Sequence, residues 1–350
     1  SRGYFENVTR GEREGDTAFT GITWSALFKP TENFDALLTV DWFDDKSPTR
    51  PVTSLTATGE ALCPPGLTAG QLGCRRPKTD SAWHRAPTTS LEQSAYVETR
   101  AVTLNATWQL SDAHKIVSLT GWRDLEDDAL QEFDGVAAPV FWTQRPQTSS
   151  QFSEELRLES DWNDRVKSVV GLYYFENDYE LNQRTFSPAF FGDPTAPMGI
   201  AFAARNFSQD VEAQAVFAQV DWSVTDNLIL SLGGRYSKED KSARGTEFLS
   251  INGAGLLPQI SYGDQPSRPG YVGSYVDPVT GQTVAATGIA DFSKFTPRVN
   301  LTWKFDEDKL AYATYSKGYR SGGFNGRASG PSTLGPYQPE EVETIEIGAK

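Results

Sequence analysis

The sequence predicts an all-β fold, an antiparallel up-and-down β-barrel that crosses a membrane with its strands. Segments in which apolar and polar residues alternate with period two recur along the 350 residues. Turns of about three to five residues and loops of about twenty to fifty join them by turns. Aromatic residues gather beside the short turns. A soluble sandwich has no reason to put every long loop at one end and every short turn at the other, whereas a transmembrane barrel does.

Composition permits this reading and removes others. The length exceeds an ordinary single domain, which leaves two soluble domains or one large barrel segment. Hydrophobic residues make up 38%, mean hydropathy is -0.46, and no apolar run approaches the eighteen or so residues of a helical span. A strand barrel survives that test because its lumen face is polar. Nine Trp, one Met and 12% aromatics favour sheet over helix. The net charge of -14 argues against nucleic acid as a partner, since phosphate binding depends on Lys and Arg. Residues 1–6 lack the basic start and apolar run of a signal peptide, so an exported protein is expected to begin upstream. The chain stops at Lys350 inside a predicted strand, so further strands are expected downstream.

The elements follow in order. Residues 1–16 are polar and read as a descending loop. A strand over 17–29 puts Ile22, Trp24, Ala26 and Phe28 on one face. Residues 30–33 form a tight turn, and the return strand sets Leu38, Val40 and Trp42 against Thr39 and Asp41. A long connection over 47–94 precedes strands 95–110 and 115–127, the first setting Val102, Leu104, Ala106 and Trp108 against Thr103, Asn105, Thr107 and Gln109. Further pairs are 151–162 with 166–180, 210–222 with 228–239, and 292–305 with 310–318. Five hairpins and the opening of a sixth make about eleven strands, with no helix, linker or second domain. Residues 1–350 thus read as a segment of one barrel domain.

The faces indicate what each side meets. Val102, Leu104, Leu156, Leu158, Val220, Leu301 and Ile345 are expected to face lipid, and Arg157, Glu159, Arg235 and Lys304 the lumen. Trp108, Trp162, Trp222 and Trp303 each lie within three residues of a short turn. Such a recurrence suits a membrane-interface girdle, because amphipathic rings settle at headgroup level. A soluble sheet with one solvated face is the competing reading.

The most specific signal lies in residues 310–350. A tyrosine-rich strand runs into Gly318, Tyr319, Arg320, Gly322, Gly323, Phe324 and Asn325; after a loop come Pro339 and Glu340, then Glu346, Gly348 and Lys350. This pattern resembles the barrel of TonB-dependent outer-membrane receptors, with Ile345 standing where the family usually has Tyr. The resemblance implies a barrel of roughly 22 strands, of which this chain supplies about eleven, closed by an N-terminal plug. It implies uptake of a scarce ligand, most simply an iron–siderophore complex or else cobalamin, energised by the TonB–ExbB–ExbD complex through the plug. It also implies the outer membrane of a Gram-negative bacterium and its lipid as neighbour. A passive diffusion channel or adhesin is the alternative of another class, and a soluble carbohydrate-binding or hydrolytic β-protein is a third.

Ligand contacts are expected on the long loops, at Trp83, His84 and Arg85 and at Tyr262, Arg268, Tyr271 and Tyr275, where rings and cations suit planar or anionic complexes. Arg320 and Asn325 are expected to fix a strand-to-loop transition instead. Cys63 and Cys74, eleven apart in a Pro- and Gly-rich stretch, are expected to form a loop disulfide. A metal site with His84 lacks the residues to complete a tetrahedral set. Neither metal nor cofactor is expected. The paired carboxylates Asp44–Asp45, Asp127–Asp128 and Glu154–Glu155 point to opposite faces of a strand, so no shared acid–base chemistry and no enzyme is expected.

Overall fold

The computed structural model describes residues 3–52, 85–86, 92–135, 141–186, 202–250, 260–263, 274–276, 281–285, 287–328 and 330–350. In chain order the strands are β1 (Phe5–Asn7), β2 (Glu12–Glu14), β3 (Phe19–Thr31), β4 (Phe34–Asp45), β5 (Arg85–Ala86), β6 (Ser94–Ser111), β7 (His114–Glu132), β8 (Trp142–Gln144) and β9 (Gln147–Asn163). They continue with β10 (Val166–Phe186), β11 (Phe202–Thr225), β12 (Leu228–Ser250), β13 (Ile260–Gly263), β14 (Ser274–Val276), β15 (Thr283–Ala285), β16 (Ile289–Asp306), β17 (Lys309–Arg320) and β18 (Glu340–Ala349).

Eleven of these are long, and with the short β8 and β13 they make one 13-stranded sheet. Each long strand pairs antiparallel with its neighbours in the sequence, from β3 at one edge to β18 at the other. This is the up-and-down wall of a partial transmembrane barrel. The short turns at 32–33, 112–113, 164–165, 226–227 and 307–308 all lie at one end.

Register keeps the predicted faces apart. One row across the sheet runs Ala106, Ser118, Leu156, Leu172, Val216, Tyr236, Phe295, and a row nearer the turns runs Trp222, Leu230, Leu301, Ala313, Ile347. The opposite face carries the row Val117, Arg157, Gly171, Phe217, Arg235, Thr296. Leu104, Leu156, Leu158, Val220, Leu301 and Ile345 are exposed together with Trp108, Trp162, Trp222 and Trp303. An apolar surface this extensive exceeds what a soluble monomer leaves to water and forms the lipid-facing band. On β16 it runs from Phe295 to Phe305, ten steps at about 3.3 Å each, which a tilt of about 45° turns into about 23 Å of height.

Charged side chains of the inner face pair with one another. Arg157 reaches Glu155 at 3.1 Å and Glu159 at 2.8 Å, and Lys115 reaches Glu159 at 2.9 Å. Arg235 lies over the Tyr173 and Phe217 rings, 5.0 and 5.8 Å from their centroids. Phe217 in turn covers Gly171, where an added Cβ would come within 2.2 Å of its ring.

Several expectations need correction. A one-turn helix, α1 (Pro331–Leu334), does exist; Pro at its start suits a first turn, and Leu334 is fully buried. Residues 1–16 are more than a loop: β1 and β2 form a hairpin closed by Asn7, whose Oδ1 accepts from the N–H of Thr9 and Arg10 and whose Nδ2 donates to Glu14 at 2.7 Å. The strands also run farther than expected on the long-loop side. β11 and β12 pair without a break from Ser223–Ile229 to Phe202–Ser250. Apolar alternation on the outward face ends near Val216 and Tyr236, but backbone ladders do not depend on it, so the wall rises past the lipid band with polar residues such as Glu176, Glu212 and Asp240 facing outward.

Candidate functional site

The segment after β17 folds back against the inner face near the long-loop end. Phe324, Ala328 and Leu334 pack on Leu181 of β10, Phe207 of β11 and Ala243 of β12 to form a buried cluster. Its glycines are required by close approach. A Cβ on Gly322 would come within 2.1 Å of the Tyr337 carbonyl oxygen and 2.6 Å of the Phe292 ring, and one on Gly323 would come within 2.8 Å of the Tyr337 hydroxyl. Gly323 and Tyr337 exchange backbone bonds of 3.3 and 2.8 Å. The Lys241 ammonium donates to Ser321 Oγ at 2.7 Å and to the Gly322 carbonyl at 2.9 Å, while Ser321 donates to Glu239 at 2.6 Å. Asn325 organises the turn that follows. Its N–H donates to the Leu334 carbonyl at 2.8 Å, its Oδ1 accepts from the Arg327 N–H at 3.0 Å, and its Nδ2 donates to the Thr333 carbonyl at 3.2 Å.

This docked segment closes one side of a cavity of about 540 Å³ on the inner wall, with Asp127 and Gln147 across from Tyr179 and Arg327. The Tyr179 hydroxyl donates to Gln147 Oε1 at 2.9 Å, and Gln147 Nε2 donates to Asp127 Oδ2 at 2.5 Å. Burial, more than any neighbouring charge, raises the Tyr179 phenol above its usual range, although Arg327 and Arg145 pull the other way. It therefore remains a donor at neutral pH. Arg145 enters at the break between β8 and β9, where Pro146 has no N–H to give the ladder. The Arg145 N–H donates to the Ala129 carbonyl at 3.1 Å, and its guanidinium to Gln131 Oε1 at 3.3 Å. Arg327 stands exposed at the rim. Two guanidinium planes, a phenol and the Phe207 and Phe324 rings suit an anionic ligand with flat or aromatic parts. No activated nucleophile lies among these residues.

The predicted motif residues are brought together in part. Arg320 faces Glu340 across β17 and β18 at 3.6 Å, both exposed. The Tyr312 hydroxyl donates to Glu346 at 2.5 Å while its ring covers Gly348, where a Cβ would come within 2.5 Å. Lys350 exchanges backbone bonds of 2.9 Å with Leu310. Gly318 pairs with Val342 and Tyr319 with Glu341, and Pro339 directly precedes β18. Of the predicted ligand contacts, Trp83, His84, Arg268 and Tyr271 lie outside the described residues, as do Cys63 and Cys74. Arg85, Tyr262 and Tyr275 are described only as backbone, in β5, β13 and β14. Sequence reasoning missed Asp127, Arg145, Gln147, Tyr179 and Arg327. The Arg–Pro pair inside an otherwise polar strand was the available signal for the first arginine.

An eleven-stranded antiparallel wall with an apolar outward face and a polar, cation-bearing inner mouth defines a partial transmembrane β-barrel. The chain belongs to the family described as TonB dependent receptor-like, beta-barrel, whose family model matches residues 23–350. Among solved structures it is similar to the ferric yersiniabactin uptake receptor FyuA from Yersinia pestis, with a TM-score of 0.71 and 14% identity over 100% of this chain and 45% of that one. The siderophore receptor PiuA from Acinetobacter baumannii gives 0.58 and 14% identity over 95% and 47%. The ferric-catecholate import receptor Fiu from E. coli K12 gives 0.59 and 14% identity over 95% and 48%. The chain thus spans about half the length of the solved receptors it matches.

Proposed function

We propose that residues 1–350 are a segment of one barrel domain in an outer-membrane receptor of a Gram-negative bacterium. The receptor takes up a scarce iron–siderophore complex with energy supplied through TonB, ExbB and ExbD. The observation that carries this reading is the inner-mouth cavity, where Arg145 and Arg327 converge with Tyr179 on a wall that belongs to a receptor family. A ferric complex bearing carboxylate or catecholate oxygens presents the acceptors and flat rings that these side chains recognise. The similarity to receptors whose names specify ferric yersiniabactin and ferric-catecholate complexes supports the same ligand class. The long loops carrying Trp83, His84, Arg85, Tyr262, Arg268, Tyr271 and Tyr275 complete the capture surface, and Cys63 and Cys74 close one of them as a disulfide.

The test is ligand binding by the full-length receptor, with a panel of ferric siderophores and cobalamin as probes. A charge-assisted hydrogen bond contributes about 1.5–3 kcal/mol. Arg327→Ala and Arg145→Ala are each expected to raise Kd about 10- to 100-fold for the ferric ligand that binds wild type. Wild-type affinity in the double variant would overturn the placement. Tight binding of cobalamin alone would overturn the ligand class.

A further inference from the structure

Elsewhere on the inner face charge meets charge: Arg157 lies between Glu155 and Glu159, and Lys241 pairs with Glu239 at 3.1 Å. The mouth cavity departs from this pattern. Asp127 and Arg327 both line it, yet no ion pair joins them, and the Arg327 guanidinium meets no carboxylate among the described residues. The Asp127 carboxylate uses one oxygen, Oδ2, to accept from Gln147 Nε2, while Oδ1 takes no hydrogen bond among the described residues. Gln147 cannot turn to change this, because the Tyr179 hydroxyl donates to its Oε1 and so fixes its amide N–H groups toward Asp127.

The two charges stand on opposite sides of the space. Asp127, Gln147, Leu181 and Phe207 form one row across β7, β9, β10 and β11, three interstrand steps of about 4.8 Å, or about 14 Å in all. At the far end of that row Gly326, the neighbour of Arg327, packs on the Phe207 ring, where an added Cβ would come within 3.2 Å. Both charges act on the Tyr179 phenol. A cavity of about 540 Å³ holds a small-molecule-sized ligand, and one that reaches across it meets an acceptor on one side and guanidinium donors on the other. A ligand anionic on every side is repelled by Asp127, so the carboxylate discriminates as well as binds.

We infer that Asp127 is a specificity-determining residue of this site: it selects a ferric complex that carries a protonated amine apart from its chelate oxygens, with the amine on Asp127 and the oxygens on Arg327 and Arg145. The inference rests on the ferric-complex reading above and deepens it, since the ligand class narrows to complexes of mixed charge.

The test measures Kd for the full-length receptor at pH 7. The probes are a ferric tris-catecholate and a ferric tris-hydroxamate complex, each made with one pendant primary amine, which is charged at that pH, and again with the amine acetylated. Wild type is expected to bind an amine form at least tenfold more tightly than its acetylated partner. Asp127→Asn keeps an oxygen for Gln147 Nε2 and removes the charge, so it should bring the two forms within twofold of each other. Arg327→Ala should weaken both forms and leave the preference at tenfold or more. Equal binding of the two forms by wild type overturns the inference, as does a tenfold preference that survives Asp127→Asn; in either case the ferric-complex reading still stands. Binding of none of the four probes by wild type, or wild-type affinity in Arg145→Ala/Arg327→Ala, overturns that reading and the inference with it.

Discussion

Replacing Gly322 by Ala tests whether the segment over 321–339 is held rigidly against the inner wall. The added Cβ meets the Tyr337 carbonyl oxygen at 2.1 Å and the Phe292 ring at 2.6 and 2.7 Å. The carbonyl cannot swing aside, because Gly323 and Tyr337 are tied by two backbone bonds. A carbon–oxygen approach of that kind is about 1 Å too close, so the backbone must move and pull Phe324 and Leu334 from their cluster. Burial of each such side chain contributes about 1.5–3 kcal/mol, so the pair stabilises the docked form by about 3–6 kcal/mol. Loss of only about 2 kcal/mol raises the undocked fraction about 30-fold. Limited trypsin digestion of the full-length receptor reads this directly as cleavage after Arg327, with heat-modifiable mobility reporting the intact barrel. Gly326→Ala is the control, since its Cβ meets only the edge of the Phe207 ring, at 3.2 Å. Cleavage of Gly322→Ala within twofold of wild type would refute the reasoning.

Spin labels at positions 156 and 157 should report lipid and water respectively; label 156 in water with 157 in lipid would invert the assigned faces. Above the lipid band on the outward face, Glu98 accepts from the Tyr96 hydroxyl, then from Trp42 Nε1 at 3.1 Å and Arg100 Nε at 2.7 Å, which lower its carboxyl to about 2. A depressed carboxylate contributes its stabilisation above the ordinary value and loses it only as pH falls through the lowered one. The difference in emission between wild type and Trp42→Phe should therefore hold from pH 7 to pH 3, and a midpoint near 4.5 would contradict the contact set. Deleting residues 256–286 from the full-length receptor should abolish ligand binding with barrel mobility unchanged, and full affinity would confine recognition to the inner wall.

What could be read in advance was what local pattern controls. Leu104, Leu156 and Leu301 alternate with polar neighbours, so their shared face follows from the period of a strand, and the short turns set the order of pairing. The upper halves of β10–β12 could not be read, because Glu176, Glu212 and Asp240 stand where the pattern asks for apolar residues and only the backbone ladder continues. The docked segment was illegible for another reason. Phe324 and Leu334 are isolated apolar residues in a polar stretch, and their partners Leu181, Phe207 and Ala243 lie 81 to 153 residues away along the chain. Gly322 and Gly323 were recognisable as a motif, while the carbonyl and rings that exclude a side chain there belong to Tyr337 and Phe292.

The continuation of β10–β12 past the lipid band also sets the electrical surroundings of an arriving solute. Tyr179 lies five residues beyond Tyr174, about 17 Å along the strand at about 3.3 Å per residue and about 12 Å in height at a tilt of about 45°. The screening length at physiological ionic strength is about 8 Å. An anion descending to Arg145 and Arg327 thus encounters the guanidinium groups before it feels charges fixed at the bilayer surface. The raised wall acts as a stand-off, so capture should depend on salt through the mouth's own cations and little on the charge of the surrounding lipid.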